Sequence, residues 1–435
     1  MSKKISKEIY SFAKEIFPIH RSITGRGLRE TLLKIKNVNP YLKIKSLSSN
    51  KKVFDWKIPP EWLINEAYII DPSGKKICDF KKNNLHVMSY SIPVNKTISL
   101  TNLKKHLYSL PKIPNAIPYV TSYYKKRWGF CLQHKLKKNL IDGIYKVKID
   151  SKLFKGKLNY GEIILKGKSK KEVFLSTYIC HPSLANNEVS GPSLLTYLAK
   201  WLYKKKRYYT YRIVFIPETI GSIAYLSLKK NHLKKRVIAG YNITCVGDNR
   251  RYSFLPSKKG DTLSDNVAKF IFKKEKIKFY NYKWKNRGSD ERQYCSQGIN
   301  LPIASVMRSK YATYKEYHTS LDNLKNVVNQ KGFEGSFKIY KKIINLIEDA
   351  KFPKMKNFCE PQLSKVNLYP TLSSKINWDK NLNNILDVIS YSDGTKSLIG
   401  ISEKVNLSIN DTKKIVALLR KKKLLIIQKE PLELK

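Results

Sequence analysis

The chain has 435 residues, 42% hydrophobic and 11% aromatic, which is enough to bury a large core spread over two or three domains. Against 33 Asp and Glu, 85 Lys and Arg leave a formal charge of +52 at pH 7; this would suit nucleic acid, an anionic membrane surface or an acidic polymer, but the lysines travel with abundant Asn, Ile and Tyr along the whole chain, as an AT-rich genome would impose. Six scattered cysteines form no C-x-x-C pair, which excludes a zinc ribbon or a disulfide scaffold, and no uninterrupted apolar run approaches the roughly 20 residues that span a bilayer.

The opening MSKKISKEIYSFAKEIFPIH has apolar residues at helical spacing but no continuous apolar h-region, so a reducing cytoplasm is the expected compartment. Two helical patterns fill the chain to about Lys45, separated by RSITGRG, where Thr24 is placed to cap the helix beginning near Gly27. Residues 58–139 have their own character, with paired prolines, the hairpin-like IIDPSGKKICDF and the aromatic-rich IPYVTSYYKKRWGF. They read as a small β-rich insertion whose Tyr123, Tyr124 and Trp128 either form its core or roof a cleft. It interrupts a domain expected over 1–57 and 140–360. There YKVKIDSKL and KLNYGEIILKG alternate as two strands, and EVFLSTYI, YRIVFIP and VIAGYNITCVG follow as buried strands between helical patterns. That alternation predicts an α/β fold with a mostly parallel, three-layer sheet. From 375 to 435 three short helices and a closing strand outline a winged helix, with Ser408 and Asp411 as a capping pair. Its basic run from Arg420 to Lys423 either meets phosphate or solvates a helix end; nucleic acid is the less favoured partner.

Parallel sheets place their sites beyond the carboxyl ends of the strands. Polar groups stand there four times: His181 after EVFLSTYIC, Glu218 after RIVFIP, Asp248 after YNITCVG, and His318 after LPIASVM. Two His, one Glu and one Asp make an N/O ligand set suited to zinc or a similar divalent ion, with Asn186, Asn187 and Glu188 as a further contribution. Taken singly, each has a structural alternative, a hydrogen-bonded histidine or an acid near a helix N-terminus.

HPSLANNEVSG, PETIGS, VGDNR and EYHTSLDN, in this order, resemble the metal-site segments of the zinc-dependent aminopeptidase-like exopeptidases of clan MH. RSITGRG, VFDWKIPPEW, NLHVMSYSIPVN, YVTSYYKKRWGFC and RGSDERQYCSQGINLP resemble a bacterial branch of it with an inserted domain of formerly unknown function and a C-terminal winged helix. The resemblance implies two metal ions sharing a bridging carboxylate, with His181 and Asp248 on one and Glu218 and His318 on the other. It also exposes three departures. The bridging aspartate falls at Asn187, Ser183 stands where an aspartate would orient the histidine, and the usual Glu-Glu pair is Pro217-Glu218. One or two zinc ions are therefore expected.

By this resemblance the chain is a metal-dependent hydrolase cleaving an amide bond of an aminoacyl or peptide substrate, with a link to surface-polysaccharide biosynthesis. Glu218 or Glu188 would relay the proton. Asp290 and Glu291 are candidates for holding a substrate ammonium, and Arg292 for a carboxylate, against the alternative that SDER merely holds a loop. Two other readings stay open: a catalytically degenerate binding protein, and a ligand-sensing regulator using its winged helix. Exact substrate and oligomeric state are not legible.

Overall fold

The computed structural model describes residues 2–369 and 380–432. Its centre is an eight-stranded mixed sheet. Glu172–Tyr178 lies between Thr210–Ile216 and Val237–Asn242, parallel to both, and Ile303–Met307 extends this parallel core. Lys157–Leu165 and then Lys43–Ser48 add antiparallel strands on one side, while Tyr252–Leu255 and Phe279–Asn281 close the other.

The central strands are apolar throughout because both faces are covered. Val173 and Leu175 point into a core built with the helices Ser2–Ile16, Ser190–Tyr203 and Gln330–Glu348. Phe174, Val214 and Ile216 point the other way, against the helix Ile220–Arg236 and the inserted sheet. This is the mostly parallel three-layer fold that the run of apolar strands implies.

The inserted sheet orders its strands Lys76–Ile77, Glu61–Ile70, Ile144–Phe154 and Val94–Ser99. Ile144–Phe154, assigned from sequence to the larger domain, thus belongs to the smaller sheet. Its alternation explains why: Tyr145, Val147 and Ile149 are buried while Lys146 and Ile144 are exposed, as a one-sided antiparallel strand requires. Thr24 does not cap its helix. Arg26–Val38 begins after Gly25, and the Thr24 hydroxyl instead pairs with Tyr90 Oη at 2.6 Å and accepts the Trp62 N–H at 3.2 Å. Gly25 has φ 100°, and a Cβ there would stand 2.6 Å from the Trp62 carbonyl oxygen, so only glycine fits.

At the C-terminus the helices Lys380–Ser390, Leu398–Lys404 and Ile409–Lys421 precede the strand Leu425–Gln428. Ser408 caps the last helix by accepting the Asp411 N–H at 3.1 Å. Leu425–Gln428 pairs antiparallel with Phe352–Met355, so this unit reaches back before its expected start at 375, a position outside the described residues. Among the described residues no helix is long and apolar enough to cross a membrane.

Candidate functional site

The parallel register sets Tyr178 beside Ile216, so the segments that leave these two strand ends emerge together. His181 and Glu218 therefore meet: His181 Nε2 lies 3.6 Å from Glu218 Oε2. On its other side His181 Nδ1 donates to Glu188 Oε2 at 2.7 Å. A carboxylate only accepts, so this bond fixes the proton on Nδ1 and turns Nε2 toward Glu218. Glu188 is fully buried on the turn of helix Ala185–Val189, and Arg21 completes the chain behind it. The Arg21 guanidinium donates through Nε to the His181 carbonyl at 3.0 Å and stands 3.7 Å from Glu188 Oε1. Burial opposes charge on His181, but Glu188 and Glu218 outweigh it and raise its pKa.

Glu218 is held by the segment Ser289 to Arg292. Ser289 Oγ donates to Glu218 Oε1 at 2.6 Å, which leaves Oε2 facing His181. The next residue, Thr219, has φ 63° and ψ −78°, a strained conformation for a β-branched side chain that costs on the order of 1–3 kcal/mol. Asp290 Oδ1 accepts the Thr219 N–H at 2.7 Å and the Ser222 hydroxyl at 2.8 Å, and Arg292 donates to Thr219 Oγ1 at 2.9 Å. Three side chains thus over-determine the strained turn that aims Glu218. Burial, with the nearby Glu188 and Glu291, pushes the Glu218 pKa up against the opposing pull of His181 and Ser289.

Asp290 and Glu291 cannot hold a substrate ammonium as expected. Both are fully buried, and Glu291 accepts from the Gly288 and Ser289 N–H groups, Asn242 and Tyr311. They serve the loop. Arg292 is exposed at the rim, on Thr219.

A cavity of about 360 Å³ opens in front of His181 and Glu218. His318 faces it from a left-handed turn, φ 55°, its ring centroid 5.4 Å from that of His181. Burial, and then His181, lower the His318 pKa to about 3, so its ring is neutral. The insertion supplies the roof through Tyr119, Thr121, Tyr123 and Tyr124. It also grips the His318 turn: Tyr119 N–H donates to the His318 carbonyl at 2.9 Å and Ser320 N–H to the Ile117 carbonyl at 2.9 Å.

Residues 10–350 match the family described as Domain of unknown function (DUF4910), and residues 351–427 match a winged helix-turn-helix family. The chain belongs to the DUF4910 family. A Clostridium acetobutylicum protein, named for polysaccharide biosynthesis and an aminopeptidase-like domain, is 42% identical over 413 residues, which cover 95% of this chain and 94% of that one. A solved structure of a C. acetobutylicum protein described as a peptidase superposes with a TM-score of 0.82 at 41% identity, covering 98% and 97% of the two chains. A zinc aminopeptidase from Bacillus subtilis shares the fold at a TM-score of 0.59 and 13% identity, over 78% of this chain and 94% of that one.

This DUF4910 member departs from the expected two-ion site at two positions, Asp248 and Asn187. Asp248 is absent from the cavity lining, and its carboxylate is fully engaged elsewhere, accepting from Asn186 Nδ2 at 3.0 Å, Ser309 N at 2.8 Å, Ser309 Oγ at 3.0 Å and Arg250 N at 2.9 Å. Thr244, not Asp248, stands beside Asn187, donating to its carbonyl at 3.1 Å. Asn187 itself is buried, with Oδ1 accepting from Tyr178 Oη at 3.3 Å and Nδ2 without a partner. An N–H donor there repels a cation.

One ion is a different matter. Two ligand atoms at 2.0–2.2 Å from a tetrahedral ion lie about 3.4 Å apart, and two imidazole centroids about 5.2 Å apart. The observed 3.6 Å for His181 Nε2 and Glu218 Oε2 suits that spacing, and the His181 and His318 ring centroids lie 5.4 Å apart, but among the described residues His318 brings no ring nitrogen within 4.8 Å of both other donors. Cys180, His181 and Glu188 bring donor atoms within 4.8 Å of one another, but the 2.7 Å contact between His181 and Glu188 is a direct hydrogen bond with no room for an ion between them. Glu188 thus sits where it orients the histidine, the role that Ser183 cannot fill, and does not reach the cavity as a proton relay. Sequence reasoning passed over Arg21, Ser289 and Tyr119; RSITGRG and RGSDERQ were visible as motifs, but their partners lie far away in the chain.

Proposed function

We propose that the protein is a metal-dependent hydrolase that binds one zinc ion at His181 Nε2 and Glu218 Oε2, with the His318 ring turning in to complete the set, and cleaves an amide bond of an aminoacyl or peptide substrate. The observation that carries this reading is the 3.6 Å approach of His181 Nε2 to Glu218 Oε2, with Nδ1 locked by Glu188. A carboxylate behind a metal-binding histidine fixes its tautomer and raises its basicity. Bound zinc polarises an amide carbonyl and acidifies water. The residues of the chain do the rest. Glu188 and Arg21 hold His181, Ser289 holds the free oxygen of Glu218, and the walls of Tyr119, Tyr123, Tyr124 and Trp56 exclude solvent from an apolar substrate group. Arg292, exposed beside Thr219, is placed to meet a substrate carboxylate. The name of the Clostridium relative supports a setting in polysaccharide biosynthesis.

One observation favours a second reading, a binding protein without turnover. Among the described residues Glu218 is the only carboxylate lining the cavity, so with Oε2 on the ion no separate base remains. Proton transfer then passes through solvent, and hydrolysis is slow. Elemental analysis of protein purified without chelator, beside assays on a panel of aminoacyl and N-acyl amides, tests both. Stoichiometry near one with turnover supports the hydrolase, near one without turnover supports the binding protein, and no bound metal sinks both.

A further inference from the structure

A larger cavity, about 860 Å³, lies outside the His181 site, between the helix Ile409–Lys421 and the ends of Leu263–Lys274 and Gln330–Glu348. The helix turns one stripe to it: Ile409, Lys413, Val416, Ala417 and Arg420 recur at i, i+4, i+7, i+8 and i+11. At 1.5 Å per residue this stripe is about 16 Å long, three turns of helix. The floor is apolar from both sides, with Phe270 and Leu346 facing Val416 and Ile427. The rim is cationic. Lys274, Lys351, Lys413, Arg420, Lys421 and Lys429 line it against the single acid Asp349; Lys429 donates to the Glu348 carbonyl, and none of the six makes an ion pair among the described residues.

In a helix-turn-helix that reads DNA, the corresponding helix enters the major groove. Here its stripe meets a wall of the same chain, because Leu398–Lys404 is docked on the main domain, with Ile399 in the principal core and Lys396 Nζ 3.2 Å from Asp261. Nucleic-acid phosphates would satisfy the lysines but leave the apolar floor unfilled.

We propose that this groove docks an amphipathic helix with an acidic polar face, supplied by a partner protein. Its apolar stripe covers the half-buried Phe270, Leu346 and Ile427, and its carboxylates reach the rim cations on both sides, the helix-in-groove mode of recognition. A three-turn groove matches a helix of about 11 residues.

Fluorescence anisotropy on the full chain tests this with a labelled peptide of about 16 residues, Leu at helical spacing and Glu elsewhere. The expected result is saturable binding at least about tenfold tighter than for a scrambled peptide of the same composition, and weakened at least about tenfold in Lys413→Glu/Arg420→Glu. Lys414→Glu makes the same charge change as Lys413→Glu alone, half that of the pair, on an exposed position of that helix off the groove, and should leave binding within about twofold. Equal binding of the scrambled peptide, equal loss in Lys414→Glu, no saturable binding, or tighter binding of a DNA duplex abolished by Lys413→Glu/Arg420→Glu would each overturn the proposal.

Discussion

Glu218 and Asp248 are two acids that follow the strands on either side of Glu172–Tyr178 in one sheet, and their surroundings differ in kind. Asp248 receives four hydrogen bonds, from Asn186, Arg250 and Ser309, so both its oxygens are occupied. Glu218 has one oxygen held by Ser289 and the other facing a histidine across 3.6 Å at a cavity wall. A buried carboxylate supplied with donors on every side is part of the scaffold, whereas one supplied on one side only is available for chemistry.

The largest expected effect separates the two acids directly. Glu218→Gln should bring bound zinc well below one per chain and remove hydrolysis with it, with little change in the unfolding midpoint. Asp248→Ala should do the reverse, costing about 3 kcal/mol of stability in urea titrations while zinc stoichiometry holds, because its buried donors lose their acceptor. Loss of zinc from Asp248→Ala at unchanged stability would break the contrast.

Glu188 refines it as an acid that acts through another residue. Glu188→Gln should weaken zinc binding about 10–100-fold in a chelator competition, since the amide no longer enforces the His181 tautomer. Asp290 adds a test by pH. Burial, and then Glu218, push its pKa up to about 8, and its Oδ2 has no partner. A raised carboxyl pKa gives a stability contribution that is complete below the unfolded value, near 3.8, and lost as pH rises through about 8. Asp290→Asn keeps the Oδ1 acceptor and cannot ionise. Urea titrations should find it more stable than the parent by at least about 1.4 kcal/mol at pH 8, with the gap closing toward pH 4. The smallest effect is expected of Asn187→Asp. It adds a buried carboxylate beside Tyr178, behind the cavity lining, while Asp248 stays engaged elsewhere, so zinc affinity should change by no more than a few-fold with stoichiometry still near one. Two ions per chain by elemental analysis would reopen the two-metal site.

The fold was legible because strands covered on both faces read as unbroken apolar runs. So were His181 and Glu218, which follow Tyr178 and Ile216 by three and two residues, too short a connection to carry a side chain away. Asp248 misled for the same reason. It lies six residues beyond Asn242, far enough for the chain to turn aside, while Thr244 occupies the position near Asn187. Arg21 was invisible as a site residue because its partner is 160 positions away, and nothing local to RSITGRG records that contact.

The hydrogen bonds joining Ile117 and Tyr119 to Ser320 and His318 tie the roof of the cavity to one of its working side chains. Any displacement of the roof is therefore a displacement of His318, so the shape of the chamber and the position of that ring are governed by one pair of contacts.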